Sequence, residues 1–157
     1  MKYTKNIIII FIALTGLVIM FFVSQKAEAP VDLSTRIMTE NGVELSVLIA
    51  DTTEEIIAGL SGVETLSPYD GMLFVFEEDI YPGFWMKDMK FPIDIVWIDN
   101  AWVVDSISEN VATSTYPQLF YPQKPIRYVL EMPAGVSQDK KIMSGSRLRF
   151  LTSESSK

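Results

Sequence analysis

The chain predicts a mainly β domain, an antiparallel β-sandwich or barrel with one or two short helices, preceded by an N-terminal membrane helix. Three observations lead there. Short apolar runs of strand length recur from residue 36 to residue 151, and turn residues interrupt them about every dozen positions. Only two segments offer helix chemistry. Ahead of them, residues 7–23 (IIIIFIALTGLVIMFFV) run without a charge.

That first run is apolar all round, so it has no polar face to turn toward water. It is short for a spanning helix and long for a secretory h-region. Ala27-Glu28-Ala29 can be read as a cleavage site, but Pro30 after it is an awkward residue at a scissile bond. The favoured reading is an uncleaved signal anchor over residues 1–24. A cleaved signal peptide, giving a secreted protein, is the alternative, and a buried core helix is the third. Lys2 and Lys5 precede the run while Lys26 is offset by Glu28, so the expected location of the globular part is outside the cytoplasm, held at the membrane. Residues 25–34 are unpatterned and read as a short tether, residues 35–152 as the domain and residues 153–157 as a disordered tail.

The domain opens with Arg36-Ile37-Met38 and Val43–Ala50 around Glu40-Asn41-Gly42, and Asn-Gly between apolar runs signals a hairpin. Val43, Leu45, Val47 and Ile49 alternate along one face of the second arm. Asp51-Thr52-Thr53-Glu54-Glu55 supplies cap residues and first-turn carboxylates for a short helix ending near Gly59. Leu66–Gly71 is turn chemistry, and Met72–Phe76 is a strand buried on both faces or central in a sheet. Pro82-Gly83 breaks the chain before Phe84-Trp85-Met86. Ile93–Ile98 and Trp102–Ile107 flank Asp99-Asn100-Ala101, a second hairpin. Ser108–Pro125 reads as a long irregular segment, a length more often functional or flexible than accidental. Arg127–Met132 reads as a strand, Ser137–Met143 as a short helix or turn, and Arg147–Leu151 as the closing strand. No internal repeat is visible.

Four runs in this order, Gly71–Phe76 (GMLFVF), Trp85-Met86-Lys87, Pro92-Ile93-Asp94 and Tyr128–Gly135 (YVLEMPAG), together resemble the signature of the DUF192 (UPF0127) family. The likeness spans roughly Val43–Phe150. It implies a β-rich, jelly-roll-like architecture and no particular activity. Two departures stand out. Asp88 occupies the place after Trp-Met-Lys where the family usually has Asn. Ile56, Ile57 and Ala58 precede Gly59-Leu60-Ser61-Gly62, where the family tends to carry arginines, so an anion bound through those arginines would be lost here.

The chain has no histidine and no cysteine. That removes the commonest general base, the Ser-His and Cys-His nucleophile pairs, the usual zinc ligands, lipobox anchors and disulfides. Beyond residue 29, ten basic and nineteen acidic residues leave a net charge of −9, a poor match to phosphate backbones, so nucleic acid is not an expected partner.

Five residues are candidates for ligand binding: Trp85, Lys87, Asp88, Asp94 and Glu131. Asp94 stands in an apolar strand, where an ionised carboxylate needs donors. Either it serves acid–base or sugar chemistry with Asp88, or it clamps the 85–92 loop with Lys87 or Arg127 as partner. Glu131 alternates against Leu130 and Met132, which reads as a solvated strand face or as a third candidate acid. Trp85 with Phe84 offers an aromatic platform for a sugar ring, against the plainer reading of a core plug. Trp97 and Trp102 read as cross-strand packing.

Met86-x-x-Met89 with Met132 suggests thioether ligation of copper(I), but gap-filling in a core is the commoner use of methionine, and no metal or cofactor is expected. Gly59-Leu60-Ser61-Gly62 lacks the spacing of a nucleophile elbow. The expectation is an accessory domain that binds a small polar or carbohydrate ligand. The alternatives are a carboxylate-based envelope-glycan hydrolase using Asp88 and Asp94, and a protein-interaction module working through the Tyr116–Pro125 loop.

Overall fold

The structure, a computed structural model, describes residues 35–151. The expected anchor, tether and tail lie outside those residues. Among the described residues no helix is long and apolar enough to cross a membrane.

The Asn-Gly hairpin forms as its sequence requires. β1 (Arg36–Thr39) and β2 (Glu44–Ala50) pair antiparallel with Arg36 opposite Ser46. Gly42 closes the turn at φ +79°, a conformation that costs a residue without Cβ little. Next, α1 (Thr53–Ala58) starts on a capping box. The Thr52 hydroxyl accepts from the Glu55 N–H, and the Glu55 carboxylate accepts from the Thr52 N–H. Six residues are too few to be stable alone, so tertiary packing holds this helix.

Seven further strands follow: β3 (Gly71–Ile80), β4 (Phe84–Trp85), β5 (Ile93–Ile98), β6 (Val104–Val111), β7 (Leu119–Phe120), β8 (Ile126–Pro133) and β9 (Leu148–Leu151), with α2 (Val136–Asp139) between the last two. β6-β5-β8-β3-β2-β1-β9 make one sheet, and β4-β7 make a second, small one. The expectation of a purely antiparallel sheet needs correcting. β2 and β3 run parallel, Val47 opposite Gly71, because α1 and the turns after it carry the chain back to the starting end of the sheet.

The two edges of the large sheet meet at one end. Val103 bridges Arg147, the Val104 N–H donates to the Ser146 carbonyl, and the Leu148 N–H donates to the Trp102 carbonyl. The sheet is therefore curled into a half-barrel. All seven of its strands contribute to one apolar cluster, including Ile37, Leu45, Leu73, Val96, Val104, Leu130 and Leu148, which fills the concave side. A second cluster, including Phe74, Met86, Ile95, Trp97 and Val129, covers the other face under α1, the 84–91 segment and β7.

Both faces of the central strands are thus buried. β5 is buried at all six positions, and Leu130 and Glu131 lie on opposite faces of β8 yet are both withdrawn from water. The solvated-face reading of Glu131 is corrected on this ground. Alternation assigned the face, but a second layer covers it.

Candidate functional site

Gly83 brings the chain hard against its neighbours. A Cβ there would lie 2.9 Å from the Tyr121 ring and 3.2 Å from Leu119. This close approach lets β4 pair with β7, Phe84 opposite Phe120 and Trp85 opposite Leu119. The segment expected to be irregular therefore contains the end of β6, a 3-10 turn (Thr113–Thr115) and β7.

Alternation along β4 points its two aromatics apart. Phe84 meets Phe74 edge-on at 4.9 Å and Trp97 at 5.6 Å. Trp85 is 46% exposed, with Tyr116 edge-on at 5.8 Å and Lys87 Nζ 5.8 Å from its ring centroid. The core plug in this region is Trp97, whose indole N–H donates to Ser108 at 3.1 Å.

Met86 turns back into the core, and Lys87 and Asp88 form an exposed turn. Asp88 sits at φ +57°, a left-handed conformation that Asn and Asp tolerate better than other side chains. Asp in a place where Asn is usual therefore keeps the backbone requirement. The turn after α1 docks here: the Gly62 N–H donates to the Asp88 carbonyl at 3.0 Å, and the Ser61 hydroxyl donates to the Lys87 carbonyl at 3.0 Å.

Between α1 and β4 lies a hollow of about 110 Å³. Its walls include Ile56, Leu60, Phe74, Phe76, Phe84 and Trp85, and Glu131 lines it from β8. Glu131 is 4% exposed and has no hydrogen-bond donor among the described residues, and burial pushes its carboxyl up to about 8. No fully enclosed side-chain oxygen among the described residues lacks a partner. The unbonded Glu131 carboxyl is accordingly one that keeps access to the hollow.

Asp94 belongs elsewhere. It pairs across the sheet with Met132, whereas Glu131 pairs with Ile95, so the two acids point to opposite faces. Asp94 accepts from the Asn110 N–H (2.9 Å) on one oxygen. On the other it accepts from the Gly135 N–H (2.9 Å), the Ser137 N–H (3.2 Å) and the Ser137 hydroxyl (2.6 Å). It is a clamp, but on β6 and the start of α2, and neither Lys87 nor Arg127 is its partner. Arg127 instead binds Asp79 at 2.9 Å and the Glu77 carbonyl. Met86 and Met89 pack in one core cluster and Met132 in the other, so the three thioethers do not converge.

Trp85 and Glu131 thus share one hollow, Lys87 and Asp88 adjoin it through Trp85 and the 61–62 turn, and Asp94 is not part of it. The sequence reading missed Ile56, Leu60, Phe74 and Phe76 as its walls. The available signal was the apolar Ile56-Ile57-Ala58 run on a capped helix too short to bury it alone.

No match was found among functionally curated proteins. Two crystal structures share the fold. One, from Sinorhizobium meliloti 1021 and provisionally named a transcription regulator, is 29% identical, with a TM-score of 0.67 over 74% of this chain and 91% of its own. The other, a protein of unknown function from Novosphingobium aromaticivorans DSM 12444, is 23% identical, with a TM-score of 0.67 over 78% and 91%. The model of the DUF192 family, described as "Uncharacterized ACR", matches residues 36–150, and the chain belongs to that family.

Proposed function

We propose that this chain is a binding domain, anchored by residues 1–24 outside the cytoplasm, that takes a small polar ligand, or one edge of a carbohydrate, in the hollow of Trp85 and Glu131. Its role is accessory rather than catalytic. The supporting observation is the carboxyl of Glu131, buried without a donor against an aromatic-walled hollow. The carboxyl reaches only the hollow, so a ligand there can supply the hydrogen-bond partner that the protein does not. The jelly-roll likeness belongs to the same proposal, and every pair in the large sheet except β2–β3 is antiparallel, which supports it.

The hydrolase alternative needs two carboxyl groups about 5–9.5 Å apart across a cleft. Both oxygens of Asp94 are taken up by the protein's own donors, so Asp94 is not free to serve as the second acid beside Asp88. The name of the Sinorhizobium relative would call for a phosphate-binding face. Here Arg36, Lys124, Arg127 and Lys140 each pair with a carboxylate, and the chain carries −7.

Thermal shift of the full chain in mild detergent, against saccharides, amino acids and small amines, tests the reading. A true ligand at a hundredfold excess over its Kd adds about 2.7 kcal/mol, raising Tm by several degrees, and Trp85→Ala removes the gain. A flat response to the whole panel defeats the proposal. The anchor is tested separately by alkaline carbonate extraction of membranes: the chain should stay in the pellet, and release to the supernatant would reject it.

A further inference from the structure

We propose that the hollow lined by Glu131 binds a small protonated alkylamine, with the Glu131 carboxylate as counter-ion to the ammonium group. This rests on the reading of the hollow as the ligand site and names the ligand's class.

Five polar or charged residues are buried among those described: Thr39, Asp94, Glu131, Ser137 and Ser146. Four are satisfied within the protein. Thr39 accepts from the Val43 N–H, Ser146 accepts from the Met143 N–H, and Ser137 donates to Asp94. Glu131 alone has no partner among the described residues, and it lines an open hollow rather than a sealed core. A ligand in that hollow therefore meets the carboxyl as the polar group that the protein leaves unengaged.

The walls narrow the choice. Phe74, Phe76, Phe84 and Trp85 present aromatic surface, which attracts cations, together with the aliphatic Ile56 and Leu60. No lysine or arginine lines the hollow, so the protein supplies no counter-charge of its own there. About 110 Å³ holds roughly four non-hydrogen atoms, given that benzene, with about six, fits a cavity of about 150 Å³. A short alkylammonium group comes close to this, whereas a sugar ring with its hydroxyls could enter only by one edge. The chain's net charge of −7 draws cations toward the surface.

Binding also moves a proton. Burial keeps the empty carboxyl protonated at neutral pH. When the ammonium enters, the acid ionises, the carboxylate pairs with the cation, and one proton leaves for solvent. Facing Glu131 are Met72 on β3, Ile95 on β5, Ile56–Ser61 at α1 and Phe84 and Trp85 on β4. None of these is ionisable. The charges beside the hollow are Lys87, over the Trp85 ring, and Asp88, whose carbonyl accepts from the Gly62 N–H.

Isothermal titration of the full chain in mild detergent tests this with n-butylammonium, its neutral isostere n-butanol, and Nα-acetyl-lysine-N-methylamide. Run at pH 7 in two buffers of different ionisation enthalpy, butylammonium should bind with release of close to one proton, at least tenfold tighter than butanol. Glu131→Gln, checked for folding by circular dichroism, should lose at least tenfold. Tighter binding of butylammonium than of the lysine amide assigns a free amine, and the reverse assigns a lysine side chain on a peptide; both support the class. Equal binding of amine and alcohol, or unchanged affinity in Glu131→Gln, overturns it. If a saccharide or amino acid binds and Trp85→Ala abolishes that, while amines do not bind, the hollow remains the site and only the amine class fails. Silence from every compound removes both.

Discussion

Asp94 and Glu131 lie on adjacent strands, each nearly withdrawn from water, and only one of them has donors for a charge. Three backbone N–H groups and a hydroxyl converge on Asp94, and hydrogen bonds to a charged group are worth about 1.5–3 kcal/mol each when broken singly. Asp94→Ala therefore should destabilise the domain by about 3 kcal/mol or more, leaving those donors orphaned behind β5. Glu131 behaves in the opposite way. Its carboxyl rises from 4.5 to about 8 on folding, so the native state holds a proton that the unfolded chain has released. The stability drawn from that protonated form is complete below pH 4.5. It declines by up to about 1.4 kcal/mol per pH unit above it and is gone once pH passes 8. Glu131→Gln cannot ionise, so relative to the parent it should gain stability between pH 5 and pH 8. Urea denaturation of both variants at those two pH values reads the signs. Parallel pH profiles for parent and Gln variant would show that Glu131 is not held neutral.

At the level of elements, sequence pattern and structure agree wherever a local rule is sufficient. The Asn-Gly turn, the Thr52–Glu55 capping box and the alternation of β2 each need only a few neighbouring residues, and each is found. Non-local elements were less legible. β3 continues to Ile80 through the acidic Glu77-Glu78-Asp79 stretch, where its register with β8 shifts, so no apolar pattern marks it as strand. β4 and β7, two residues each, exist only because they meet one another and Gly83 allows the approach. The parallel β2–β3 pair is a matter of topology that alternation cannot report. Part of the hollow was legible too: Trp85 and Glu131 were both singled out, but the shared face that separates Glu131 from Asp94 depends on the pairing of β5 with β8. Gly71, within the most recognisable motif, has a similar non-local cause. A Cβ there would stand 2.5 Å from the Glu131 carbonyl, so the glycine sets how closely β3 approaches the strand that bears the candidate acid.

Across the whole molecule, the joint between β6 and β9 decides whether the curled sheet is closed at that end. Few backbone bonds make it: Val104 to Ser146, Gly145 to Val104 and Leu148 to Trp102. Trp102 packs over them, stacked on Tyr128 at 4.1 Å and tilted against Phe150 at 6.0 Å, and the Ser144 hydroxyl and Arg147 guanidinium add bonds to the Asp105 and Ala101 carbonyls. Trp102 sits at φ +60°, a left-handed conformation that costs an ordinary residue about 1–2 kcal/mol. Aromatic pairing contributes about 0.5–1.5 kcal/mol beyond burial, so stacking offsets the strain. Trp102→Ala loses the stack and keeps the strain. In that variant the amides of Val104, Gly145 and Leu148 should exchange at least tenfold faster, while those of Val129, Leu130 and Ile95 in the middle of the sheet keep their protection. Local opening of a weakly held edge has this signature, whereas global unfolding speeds every amide alike. Trp102→Gly, which removes the strain together with the stack, should fall between Ala and the parent. Hydrogen exchange followed by NMR distinguishes these outcomes. Uniform acceleration across all strands would mean that the joint opens only when the entire half-barrel does, and unaltered rates at Leu148 would mean that the indole does not hold the seam.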